Sequence, residues 1–252
     1  MPMHWTHRGY VPIFAFMIHG AYVCLTSNAR CANIPELAQR LGLRNEFDPD
    51  PGPHTIAYLR RVSASAADIA DDAVLHADAI VHVASDDADR VEQLCGEIES
   101  PRILRGVVRP TNYTSNSMHE FAYARQLLQR PGAMMPNAFL LPMNKSAEWW
   151  QKDWMERHTY FLPRYDDSGR MRNEGHALAA STGIASLMRR TYKSTSDYEF
   201  ITYFECADEH VATFDAVLAA LRDTTRNPEW TFVREGPLWR GRRVASWSEL
   251  FD

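Results

Sequence analysis

One pattern occurs twice in this chain, and the repetition limits the possible folds more than any other feature. Asp78-Ala79-Ile80-Val81-His82-Val83-Ala84 reads as a strand, Asp86-Asp87 as an acidic helix start, and Val91, Leu94, Cys95 and Ile98 as the apolar stripe of that helix. The second copy runs in the same order. Tyr198-Glu199-Phe200-Ile201-Thr202-Tyr203-Phe204 is its strand, Asp208 and Glu209 open its helix, and Val211, Phe214, Leu218 and Leu221 share one helical face. A further strand candidate follows each copy, Ile103 to Val108 in the first and Trp230 to Val233 in the second. Strand, helix and strand therefore recur at similar separation, as expected of an internal duplication.

Each such helix has one apolar stripe to bury, and a sheet with all its helices on one face buries it economically. The expectation is an α+β chain of two tandem ferredoxin-like repeats, with the open faces of the two sheets packed together. The division falls at residues 1–110 and 111–252. Ile34 to Leu41 reads as a helix and Thr55 to Arg60 as a strand, separated by the proline-rich loop Phe47 to Pro53. Between the repeats, His119 to Arg130 and Lys145 to Arg157 read as helices, the second carrying three tryptophans. Pro163 to Gly169 is a surface loop leading to His176. Gly236-Pro237 makes a turn before the last strand.

With 45% apolar residues, 252 residues can bury a sizeable core. The net charge of −5, with both signs interleaved, gives no basic stripe for a phosphate backbone and argues against nucleic acid. Cys24, Cys31, Cys95 and Cys206 are dispersed, without zinc-finger spacing, and read as reduced, mostly buried thiols. The apolar run Val11 to Leu25 is too short to span a membrane. Its first reading is a buried strand over Ile13 to Ile18, with cytoplasm as the working compartment. A secretion signal leading to the periplasm is the alternative.

Three stretches carry residues suited to chemistry. Pro142-Met143-Asn144-Lys145-Ser146-Ala147-Glu148-Trp149-Trp150 places two tryptophans about 100° apart on a helix, where they can line a broad apolar wall. Leu104 to Val108 leads into Thr111-Asn112-Tyr113-Thr114, a strand ending in polar groups able to hold a carboxylate. Asn173-Glu174-Gly175-His176 is followed thirteen residues beyond the histidine by Arg189. One imidazole and one guanidinium on opposite sides of a haem plane would equip a redox enzyme for a small oxyanion.

Together, Lys145 through Trp150, Glu174-Gly175-His176, the Arg189 spacing and Tyr198 through Glu205 resemble the chlorite dismutase family of haem proteins. The resemblance is close from about Leu104 to Val244 and looser before it. It implies a duplicated ferredoxin-like fold of the dimeric α+β barrel type, with haem b in the C-terminal half. It also implies a homo-oligomeric ring, often a pentamer, and a small anionic or oxidant substrate. In that family chlorite is decomposed to chloride and dioxygen at the haem. Carried over, His176 becomes the iron ligand and Arg189 the cation that attracts and retains the anion. Asn112, Tyr113 and Lys145 match positions near the haem or its propionates, and Trp149 and Trp150 match pocket walls.

The pattern departs from the family at one place. A glutamate that supports the proximal histidine there falls on or near Arg226 here, with Asp223 and Glu229 as the acidic neighbours. Either neighbour could substitute, but the sequence shows neither reaching His176, and without such a carboxylate chlorite turnover would be weakened. A shortened Ser194-Thr195-Ser196-Asp197 loop would alter the rim on the arginine side. These departures keep two alternatives open, a haem-binding carrier or sensor without turnover and a coproheme decarboxylase.

Overall fold

A computed structural model describes residues 18–27, 33–46, 48, 52–66, 68, 72–108, 135–181, 183, 186–194 and 196–252, with nothing said of the side chains at 188–190. The first half contains β1 (His19–Leu25), α1 (Ile34–Arg40), β2 (Arg44–Asn45), β3 (Thr55–Ser65), α2 (Ala73–His76), β4 (Ala79–Ser85), α3 (Ala88–Glu97) and β5 (Arg102–Val108). The second half opens with β6 (Asn137–Lys145), α4 (Ala147–Gln151), α5 (Trp154–Thr159), β7 (Arg164–Tyr165), β8 (Met171–Asn173) and α6 (Gly175–Ser181). It continues with β9 (Met188–Ser194), β10 (Phe200–Cys206), α7 (Val211–Arg222), β11 (Val233–Glu235) and β12 (Leu238–Val244).

Antiparallel pairing runs β10-β9-β5-β1-β4-β3-β12-β6, and β6 pairs again with β10, so eight strands close on themselves. Closure leaves none of these eight as a free sheet edge. Within the first half the spatial order is β5-β1-β4-β3, which is fourth, first, third, second along the chain. The second half repeats that order as β12-β6-β10-β9. This is the duplicated α+β architecture expected from the sequence. The β5–β9 and β3–β12 pairings join the halves. The expected division at residue 110 lies outside the described residues, as do Cys31, most of the Ile13 to Ile18 strand and the His119 to Arg130 helix.

Alternation decides which side chains go where. Along β1, Ala21, Val23 and Leu25 face out and pack with Ile34 and Leu37 of α1 and Val91 and Leu94 of α3. Tyr22 and Cys24 face the interior, among Leu59, Ile80, Leu104, Leu140, Ile201 and Trp239. Because both faces are buried, the strand reads as a continuous apolar run. Asp87 caps the start of α3 by accepting from Asp89 N at 3.0 Å. The interior also holds charge: Arg243 bridges Glu46 of the first half and Glu205 of β10, with His82 3.7 Å from Glu46. Burial alone would make this guanidinium easier to deprotonate, but the two carboxylates keep it firmly charged.

Two expected elements differ. Lys145 to Arg157 is a strand end plus two short helices, because Asp153 caps a new start by accepting from Glu156 N at 2.8 Å. Trp230 to Val233 is largely a 3-10 turn, Pro228–Phe232, with the strand beginning at Val233. Proline fixes φ at the first position of that turn. Cys24, Cys95 and Cys206 are free and buried, and burial pushes their thiols up, Cys24 to about 12 and the others to about 11. Among the described residues no helix is long and apolar enough to cross a membrane.

Candidate functional site

On the outer face of the second half, Phe214 of α7 packs on Phe139 and Phe204 of the sheet, and a cavity lies beside that contact. The cavity is partly open to solvent. Leu141, Met143 and Phe204 line it from the sheet, and Phe214, Val217 and Leu218 from α7. The polar lining is sparse: Lys145, His176, Thr191, Thr202 and Glu229.

His176 sits in the first turn of α6, and its backbone is fixed from three sides. Gly175 precedes it at φ 71°, and a Cβ there would lie 2.6 Å from the backbone of Leu162, so only glycine fits. The amides of Glu174 and Gly175 donate to the Arg226 carbonyl at 2.9 and 3.1 Å. The Arg226 guanidinium returns two hydrogen bonds to the Glu174 carboxylate, at 2.9 and 2.8 Å. His176 N donates to the Tyr160 carbonyl at 3.2 Å, and the Phe161 ring meets the imidazole edge at a centroid separation of 5.4 Å.

The supporting carboxylate is present. Glu229, on the 3-10 turn three residues past Arg226, accepts from His176 Nδ1 through Oε2 and from Lys145 Nζ through Oε1. Arg226 does a different job, locking the turn to Glu174. Burial would raise the Glu229 carboxyl, but Lys145 and His176 outweigh it and hold the group well below the usual carboxylate range. A carboxylate only accepts, so Nδ1 carries a hydrogen, and in the neutral form of the ring the lone pair is on Nε2. That nitrogen is left for a ligand in the cavity the ring lines.

Lys145 ends β6 with its amide donating to Glu199 Oε2 at 2.8 Å and its ammonium 4.6 Å from the centre of the Trp149 ring. Trp149 is buried against Tyr160, Phe161 and Phe232, while Trp150 is 39% exposed and donates from Nε1 to Glu199 at 2.7 Å. Lys145 and His176 thus come together at the cavity, and neither tryptophan is among its lining residues. Arg189 pairs with Phe204 in the β9–β10 register, two residues before Thr191. The Arg189 side chain, Asn112 and Tyr113 lie outside the described residues. Sequence reasoning did not single out Thr191 or Thr202, and it named Glu229 without a route to His176.

No protein-family model and no curated protein matches the sequence. Solved structures do match in fold. A mutant chlorite dismutase from Candidatus Nitrospira defluvii aligns at TM-score 0.63 with 18% identity, covering 93% of each chain. The chlorite dismutase of that organism in complex with imidazole aligns at 0.60 with 19% identity over 90% of this chain and 91% of that one. Dimeric chlorite dismutase from Nitrobacter winogradskyi aligns at 0.54 with 21% identity, over 75% of this chain and 99% of that one. The fold is therefore of chlorite dismutase type.

Proposed function

We propose that the protein holds haem b in its C-terminal half and decomposes chlorite to chloride and dioxygen, or acts on a related small oxidant. The observation that carries this reading is His176, tied at Nδ1 to a buried, ionised carboxylate while its ring lines an apolar cavity. The residues suit the group. Among the described residues no cluster of three or more His, Cys, Asp or Glu could form an all-protein metal centre. A lone, oriented imidazole suits a metal that brings its remaining ligands with it. Aliphatic and aromatic walls suit the faces of a porphyrin.

Bound haem would supply a redox-active iron at which oxygen is transferred from the anion. His176 would hold that iron through Nε2, and Glu229 would fix the ring and increase its donor strength by accepting from Nδ1. Lys145 keeps Glu229 ionised, so the proton stays on the imidazole. Arg189, charged at any relevant pH, attracts the anion and retains the negative fragment after bond cleavage. The apolar lining excludes water and strengthens the attraction. Asn112 and Tyr113 are assigned to the propionate side, and the tryptophans act from outside the lining, Trp149 through Lys145 and Trp150 through Glu199, which also accepts from the Lys145 amide. Exposed apolar side chains at Trp154, Met155, Tyr165 and Met171 support self-association into a homo-oligomer.

The test is dioxygen release on adding chlorite to the haem-loaded protein, followed with an oxygen electrode. Rapid release that falls at least tenfold in Arg189→Ala is expected, since electrostatic groups of this kind contribute about 10²-fold or more. A stable haem spectrum without dioxygen would replace the enzyme by a carrier or sensor, and peroxide-dependent conversion of added coproheme by a decarboxylase. The carrier reading had rested on the unmatched carboxylate, and Glu229 removes that ground.

A further inference from the structure

Two threonines interrupt the otherwise apolar sheet wall of the cavity. Thr191 of β9 and Thr202 of β10 are directly opposite in the strand register, and both line the cavity. Opposed residues of an antiparallel pair have Cβ atoms about 4.5–5.5 Å apart, so their hydroxyls can converge on one small ligand. Thr191 is 8% exposed and Thr202 3% exposed. The Thr191 hydroxyl is buried without a hydrogen-bond partner among the described residues. Thr55, similarly buried, donates to Glu46 at 3.2 Å. A buried hydroxyl left unpaired is costly, and such groups in folded proteins call for an explanation.

We propose that Thr191 and Thr202 form a paired hydroxyl site that donates hydrogen bonds to a small anion bound in the cavity. This inference rests on the haem reading above and names the ligand class that the cavity selects. The surrounding charges favour an anion over a cation. Among the described lining residues the one carboxylate, Glu229, is already engaged by Lys145 and His176. Hydrogen bonds to an ionised acceptor are roughly twice as strong as neutral ones. A threonine side chain moves between staggered χ1 wells, so the hydroxyl can turn to an arriving ligand. A neutral ligand that needs no hydroxyl donor gains nothing from the pair.

The experiment compares fluoride and imidazole binding to the haem-loaded full chain, followed by visible absorption, in the parent protein, Thr191→Val, Thr202→Val and Thr191→Ser. Fluoride accepts hydrogen bonds strongly, whereas imidazole is neutral and binds by its nitrogen. Fluoride affinity should fall about tenfold to hundredfold in each valine variant, as for loss of a hydrogen bond to a charged group. Imidazole affinity should stay within about twofold, and Thr191→Ser should retain fluoride binding. Equal losses for both ligands would reduce the pair to pocket shape and overturn the proposal, as would unchanged fluoride binding in both valine variants. Failure of the parent chain to take up haem would remove the haem reading instead, and thermal unfolding of the haem-free chains then decides. Thr191→Val should leave the melting temperature unchanged or raise it by up to about 4 °C, since valine removes an unpaired hydroxyl at nearly constant volume. A fall of several degrees would show that the hydroxyl has a partner in the folded chain, and the proposal would fail.

Discussion

The two halves of the molecule share one strand order and differ in what covers the outer face of the sheet. In the first half, α1 and α3 close down on the strands, and Val81 and Val83 of β4 are buried against Val91 and Leu94. In the second half, the matching third strand presents Thr202 and Phe204 to an open cavity. The chain between the first two strands of that half is also longer. It carries α4, α5, the β7–β8 hairpin and α6, which bring His176 to the cavity in place of a single covering helix. A duplicated scaffold can thus seal one copy for stability and leave the other incompletely packed for a ligand, because interiors tolerate voids only where something offsets their cost.

Glu229 should show the contrast most strongly. Replacing it in Glu229→Gln leaves the Lys145 ammonium buried without its counter-charge, and breaking such a pair costs about 3–5 kcal/mol. Chemical denaturation at pH 7 measures this directly. The pH dependence has a definite sign. Because the folded-state carboxyl is depressed below its ordinary value of 4.5, its contribution is fully present above that pH and is lost as pH falls toward the folded value. The acid limb of the stability curve should therefore be shallower in Glu229→Gln than in the parent. An unchanged limb would mean that the His176–Glu229–Lys145 chain is not formed.

A smaller effect should separate the packed face from the open one. Leu94→Ala, in the sealed half, opens a new void and is expected to cost about 3–5 kcal/mol. Leu218→Ala only widens a cavity that already exists, so its cost should be nearer about 2 kcal/mol in the haem-free chain. Added haem should stabilise the parent and, less strongly, the Leu218 variant, through preferential binding to the folded state. Equal costs for the two substitutions would erase the distinction between the halves.

Much of the scaffold was legible in the sequence because its signals are local. The β4 and β10 strands, the acidic starts after them and the stripes on α3 and α7 all lie within windows of about twenty residues. The site was less legible because its parts meet across long separations. His176 and Glu229 are 53 residues apart, and Lys145 and Glu229 are 84 apart. The turn carrying Glu229 was obscured by its own composition: Trp230-Thr231-Phe232-Val233 has the aromatic and β-branched character of a strand, yet Pro228 and the buried Asn227 fold its start into a 3-10 turn. Spacing alone put Arg226 where the carboxylate was sought. Side-chain packing then moved that role three residues along, and no local pattern announces such a shift. Likewise, Lys145 to Arg157 has helical periodicity throughout, and the break at Lys152 follows from the Asp153 cap.

The central claim is that the His176 imidazole, held by Glu229, is the protein's handle on haem. Titrating haem into the parent chain and His176→Ala, with absorbance in the Soret region as the signal, tests it most directly. The account predicts saturation at one haem per chain in the parent, and weak binding with a clearly different spectrum in the variant. Identical titrations and identical spectra for the two proteins would contradict it.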